Sequence, residues 1–346
     1  MTDPAERTDP PERTDPAERT DPPERIDPPG AGEALLAAVE RAAFHSSPGA
    51  ALVAARRLAG ASARAGWVAG VCALALGRYG EARALLDDVT AGTGPAPREG
   101  VAVGARAAAG ARAAEGAGAA ESCALALAAA ASLQRQVGSY PVAERLDQRA
   151  AALAGPSGEA RLDALTGLVA DAVGVGDAAT AAARLPALER AVERARSRIG
   201  DVLLWRPLTR LGWVRAEVAL LAGRPEEAVD AATEALAHAS GAGAPRHEAK
   251  SLLFRGVAGA VAGAGAAVPD LQAARRLAGR LGCAPLAWPA AEVLAGLDPV
   301  EGAGLRAEAT ATVRRLADAM PADLRVSWLT RADVAAVHER GRSGSR

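Results

Sequence analysis

From Gly32 onward, apolar residues recur at steps of three and four, and Gly or Pro interrupts them roughly every 15 to 20 residues. Those steps put side chains on one face of a helix, and the interruptions are too frequent for long helices. No window alternates with the period of two that a half-buried strand needs. The spacing therefore predicts a series of short helices and no sheet. Segment 203–222 shows the pattern in full: Leu204, Leu208, Leu211, Val214, Val218 and Leu221 fall on one face. Pro207 fits its first turn, Gly223 ends it, and Pro225 with Glu226 and Glu227 opens the next helix, the acids facing the positive end of the dipole. Similar joints stand at Ser47-Pro48, Gly77-Arg78-Tyr79, Ser139-Tyr140-Pro141, Gly176-Asp177 and Val268-Pro269. Helices are expected at 33–45, 48–60, 63–77, 80–90, 98–115, 119–137, 141–154, 159–174, 177–198, 203–222, 225–240, 246–262, 268–281, 285–296, 302–319 and 331–340.

At 346 residues the chain exceeds what one ordinary core needs, so it either divides or repeats a unit. Half of it is hydrophobic but only 3% aromatic, because much of the apolar share is Ala. Ala is the strongest helix former and lets helices pack close together. Apart from Lys250 every basic residue is Arg, which with the Ala and Gly excess reads as base-composition bias in the gene.

Three helix pairs carry a finer signature. In Trp67-Val68-Ala69-Gly70 through Gly77-Arg78-Tyr79-Gly80-Glu81-Ala82, two small residues, Gly70 and Ala82, stand twelve apart. Ala131 and Ala143 repeat that spacing around Gly138-Ser139-Tyr140, and Ala216 and Ala228 repeat it around Gly223-Arg224-Pro225. Small residues facing each other let antiparallel helices approach closely, and the Gly-x-Tyr/Pro-x-x-Ala corner sets the turn. These pairs resemble the tetratricopeptide repeat, of a divergent bacterial type. The resemblance spans most of residues 33–320, with the pairs near 159–198, 246–281 and 284–319 degenerate. It implies an all-α protein, an α-α superhelix of about seven antiparallel helix pairs. Domains are expected at 1–29, an arm; 30–322, the repeat domain; and 323–346, a cap and a Gly/Ser/Arg tail.

Residues 2–25 are a six-residue repeat, Thr-Asp-Pro-Ala/Pro-Glu-Arg. Each unit has Pro and no large apolar side chain, so the arm is expected to be disordered. Nine acidic residues against four arginines give it −5, leaving +4 on the rest of a chain whose net charge is −1. It reads either as a contact arm or as a tract expanded by slippage in the gene.

Near-zero net charge argues against a nucleic-acid partner, and no stretch is expected to span a membrane. The N-terminus lacks the basic and apolar regions of a signal peptide, and Cys72, Cys123 and Cys283 lie far apart, so a reducing cytoplasm is the expected location. No phosphate loop, zinc-ligand spacing, dinucleotide fingerprint or nucleophile elbow is present. No enzyme activity, cofactor or metal is expected. The stretch Trp328-Leu329-Thr330-Arg331-Ala332-Asp333-Val334 resembles the opening of a helix-turn-helix, but too few residues follow for a recognition helix. It is expected instead to cap the last pair, with Leu324, Val326 and Trp328 covering the apolar end.

In such superhelices the first helix of each pair lines the concave face. The resemblance therefore implies a groove holding Arg64, Trp67, Ser132, Arg135, Arg210, Trp213, Glu217 and Lys250. Trp and Arg are frequent binding anchors, although Trp67 and Trp213 also fit a core role between repeats. The Lys/Asn pattern that clamps a C-terminal carboxylate in some repeats is missing. The expected function is a protein–protein interaction scaffold holding a peptide or protein segment in that groove. The alternative is a ligand- or peptide-sensing regulatory module without its own DNA-binding domain.

Overall fold

Among the described residues each helix packs against the next, and most of the hairpins so formed share one recurring joint. The computed structural model describes residues 30–92, 105–156, 158–265 and 267–343. Among them are sixteen helices and no strand. They are α1 (Ala31–His45), α2 (Pro48–Ala59), α3 (Ala63–Ala75), α4 (Tyr79–Thr90), α5 (Ala105–Gln136) and α6 (Tyr140–Leu153). Then follow α7 (Glu159–Gly174), α8 (Ala178–Leu203), α9 (Trp205–Leu221), α10 (Pro225–Gly241) and α11 (Pro245–Ala262). The last are α12 (Ala267–Leu281), α13 (Ala284–Leu297), α14 (Gly302–Ala319), α15 (Ala322–Leu329) and α16 (Ala332–Ser343). The helices α1 to α14 make seven antiparallel pairs.

At the α3–α4 joint Gly77 takes φ 76°, and the next amide, Arg78 N–H, donates to Ala73 C=O at 2.9 Å. This six-to-one closure needs a left-handed residue, which is why glycine ends the helix. Ser139 to Gln134, Asp177 to Ala172 and Arg224 to Ala219 repeat the bond at the joints after α5, α7 and α9. The small pairs meet as their spacing requires: Ala82, Ala131, Ala143, Ala216 and Ala228 are wholly buried. A Cβ on Gly70 would fall 2.6 Å from Leu86 Cδ2, so that approach depends on glycine. The same glycine joint closes the degenerate pairs α7–α8 and α11–α12, where Ala264 N–H donates to Gly259 C=O, but not α13–α14, whose turn runs through extended Asp298.

Odd-numbered helices α3, α5, α7, α9, α11 and α13 also touch in succession and form the inner row. The superhelix then closes on itself. Trp328 of α15 lies 6.5 Å from Tyr79 of α4, Arg83 pairs with Asp323, and Arg331 Nη1 donates to the Gln136 carbonyl at 2.6 Å. At the other end α1 crosses to α11, bringing the Phe44 ring 6.0 Å from His247 and 6.3 Å from Trp205. One core of buried side chains accordingly runs from Val39 to Val337.

Several expectations are corrected. Helices at 98–115 and 119–137 are one helix, α5, over its described length, because Gly116 and Gly118 cost only about 1 kcal/mol each in an Ala-rich run; residues 98–104 lie outside the described residues. Within α5, Gly116–Gln136 has the length and apolarity to cross a membrane, at mean hydropathy 1.3, where no such stretch was expected. Half of that window is buried in the ring, between α3 and α7. The helix expected at 177–198 continues to Leu203 through a break at Gly200, φ 74°. The cap is a helix, α15, and it closes onto α4 rather than only onto the last pair. Leu324 and Trp328, one turn apart, are buried, whereas Val326 points away and is 65% exposed. The arm 1–29 and residues 344–346 lie outside the described residues.

Candidate functional site

Ring closure turns the concave face into a chamber of about 330 Å³. Its wall is built from α3, α5, α7, α9 and α11, with Phe44 of α1 and Pro285 and Leu286 of α13 at its rim. Six cationic side chains line it, Arg135, Arg206, Arg210, Arg246, Lys250 and Arg331, against two carboxylates, Asp163 and Glu217. The helical repeat places most of them. Arg206, Arg210, Trp213 and Glu217 fall at steps of three and four on α9, and Arg246 and Lys250 are one turn apart on α11.

On the α5–α7 side the charges are satisfied from behind. Arg135 donates to Asp147 and, at 2.9 Å, to Asp171, neither of which lines the chamber. Burial pushes the Asp147 carboxyl up to about 7 against the pull of Arg135, and Asp171 is raised for the same reason. Two carboxyls therefore share one guanidinium, and burial favours the protonated form of each. Arg206 is bound to Glu159 and Asp163. Arg64 stands behind the wall. It bridges Glu40 and Glu159, the latter at 3.0 Å, and lies 4.3 Å over the Trp67 ring.

On the α9–α11 side compensation is thin. Arg210 Nε is 3.2 Å from Asp163 Oδ1, near enough for an ion pair but not aligned for a hydrogen bond. Burial lowers its pKa, opposed mainly by Asp163, with Arg206 and Arg135 depressing it further. Arg246 has no hydrogen bond or ion pair among the described residues. Burial lowers its pKa too, with Arg206 depressing it further and no carboxylate opposing. Lys250 Nζ rests 4.2 Å over the Trp213 ring. Burial brings its ammonium down to about 8 despite Glu217, whose own carboxyl is raised by burial. His247 stacks on Trp213 with centroids 5.4 Å apart. Burial and the surrounding cations hold it neutral, its pKa lowered well below the ordinary value, and its Nδ1 has no partner. Trp213 Nε1 donates to Ser251 Oγ at 2.9 Å.

No family model matches the chain, and no curated protein matches it. Among solved structures it is similar to a Signal Transduction ATPase with Numerous Domains (STAND) protein with a tetratricopeptide repeat sensor, from Pyrococcus horikoshii. The identity is 17% and the TM-score 0.43. The match covers 79% of this chain and 39% of that longer one, so this chain spans well under half the length of that protein.

Of the residues expected in the groove, Trp67, Ser132, Arg135, Arg210, Trp213, Glu217 and Lys250 meet at the chamber, and Arg64 sits one layer behind. Trp67 and Trp213 are buried and serve the core as well, Trp67 being wholly inaccessible. Sequence reasoning missed Arg206, Arg246 and His247. The signal for Arg206 was its place one turn before Arg210. For Arg246 it was the i, i+4 relation to Lys250, just inside a Pro-initiated helix.

Proposed function

We propose that the chain is a ligand- or peptide-sensing recognition module whose working surface is the interior of its closed superhelix. The observation that carries this reading is the closure itself. With Trp328 on Tyr79 and Phe44 on Trp205, the concave face narrows to a half-open chamber of about 330 Å³. That volume is at the lower end of small-molecule sites. It admits a small ligand or the end of a peptide, whereas a segment laid along several repeats needs an open trough. A scaffold role is therefore retained in a narrowed form, in which a partner polypeptide inserts a terminus or one side chain. No chemical step is assigned to the chamber.

Filling the space tests the reading. Ser132 lines the chamber from α5. A ligand that raises the melting temperature of the wild type by mass action should lose that effect with Ser132→Trp, while circular dichroism stays that of the folded chain. Ligand binding undiminished in the filled variant would move the site elsewhere.

A further inference from the structure

An arginine cannot shed its charge in a protein, so burying one costs several kcal/mol unless carboxylates or other acceptors surround it. Arg135 and Arg206 meet that demand with two carboxylates each. Arg246 has none, and Arg210 has one misaligned contact with a carboxylate that Arg206 already occupies. Lys250 rests on an aromatic face rather than on a carboxylate. All three cations line one side of the chamber, on neighbouring helices α9 and α11. The three are half-buried around the cavity, with Glu217 the one carboxylate favouring the Lys250 charge, so the cluster is under-compensated and an incoming anion would relieve that strain.

We infer that Arg210, Arg246 and Lys250 seat an oxyanion group of the ligand, a carboxylate or a phosphoryl group. The inference rests on reading the chamber as a binding site and names the chemistry recognised there. Two guanidinium forks and an ammonium match the several acceptor oxygens of either group. Trp213 takes no part in stacking on the ligand, because His247 and Lys250 already occupy its ring. Charge and fork geometry set the specificity.

The test is calorimetric titration of the full chain with inorganic phosphate, with succinate, and with succinamide as the neutral counterpart of succinate. The wild type should bind phosphate or succinate and not succinamide, and the two anions distinguish a phosphoryl from a carboxylate source. Arg246→Gln should weaken the bound anion at least about tenfold, as expected for a lost charged hydrogen bond. Its melting temperature without anion should equal or exceed that of the wild type. Lys250→Met, which keeps the bulk over Trp213, should weaken binding as well. Binding of succinamide as tight as succinate, unchanged affinity in both variants, or an Arg246→Gln chain melting well below the wild type would each overturn the inference. If neither anion binds but a neutral compound stabilises the wild type and not Ser132→Trp, the oxyanion seat fails and the chamber stands. If binding persists in Ser132→Trp, the chamber itself fails.

Discussion

Arg135 and Arg246 line the same chamber and are held in opposite ways. Arg135 is gripped by two acids that reach it from outside the chamber, whereas no carboxylate pairs with Arg246. Arg135 and, on α9, Arg206 thus belong to self-contained ion networks, whereas Arg210, Arg246 and Lys250 on α9 and α11 are only partly compensated. Residue type and burial alone do not separate structure from function here. The completeness of the pairing does.

That contrast can be broken most forcefully on its structural side. Arg135→Met leaves Asp147 and Asp171 buried without a counter-charge and should cost about 3 kcal/mol in denaturant unfolding. A loss below about 1 kcal/mol would remove the distinction between the walls. The next effect is a pH dependence. Asp147 ionises near 3.8 when unfolded and at about 7 when folded, so the folded chain keeps a proton that the unfolded chain releases between those values. Its contribution to stability is therefore full below about pH 4 and is lost as pH rises through 7. Asp147→Asn should flatten that limb of the stability profile. A profile that rises over that window in the wild type and is unchanged in the variant would contradict the raised Asp147 carboxyl.

Arg246→Gln sharpens the contrast from the other side. Removing an uncompensated charge should leave stability unchanged or raise it by about 1 kcal/mol, the reverse of Arg135→Met. The smallest effect is the control on the outer surface. Arg215 pairs with Glu189 at 2.8 Å in partly exposed surroundings, and Arg215→Gln should stay within about 0.5 kcal/mol. A larger loss there would mean that charge removal alone, rather than pairing in the chamber, drives the differences.

Much of the local fold is legible in the sequence, because Gly and Pro act within a few residues. The Gly77, Gly138, Gly176 and Gly223 joints and the Ala82, Ala143 and Ala228 contacts can be read from spacing. Closure of the ring was not legible. It rests on Tyr79 with Trp328 and on Arg83 with Asp323, 240 residues apart, pairs that no local period connects. Without closure the concave face reads as a groove, and Val326 reads as part of a cap. The site was half legible for the same reason. Arg135, Arg210, Trp213, Glu217 and Lys250 follow from helix register, but which arginine lacks a carboxylate is a property of three-dimensional pairing. Gly116 and Gly118 misled in the opposite direction, because a lone glycine in an Ala-rich helix weakens it without ending it.

The chain contains one lysine, which makes the chamber addressable at a single side chain. With its ammonium brought down to about 8, Lys250 is largely a free amine at pH 8.5, where an ordinary lysine is almost wholly protonated. The most direct measurement is the rate of acetylation of Lys250 by a small amine-reactive reagent at that pH, read by peptide mass spectrometry with and without saturating phosphate or succinate. The closed, anion-binding chamber predicts modification of Lys250 in the free chain and marked slowing when the anion is bound. No modification at all, or a rate that neither anion alters, would contradict it.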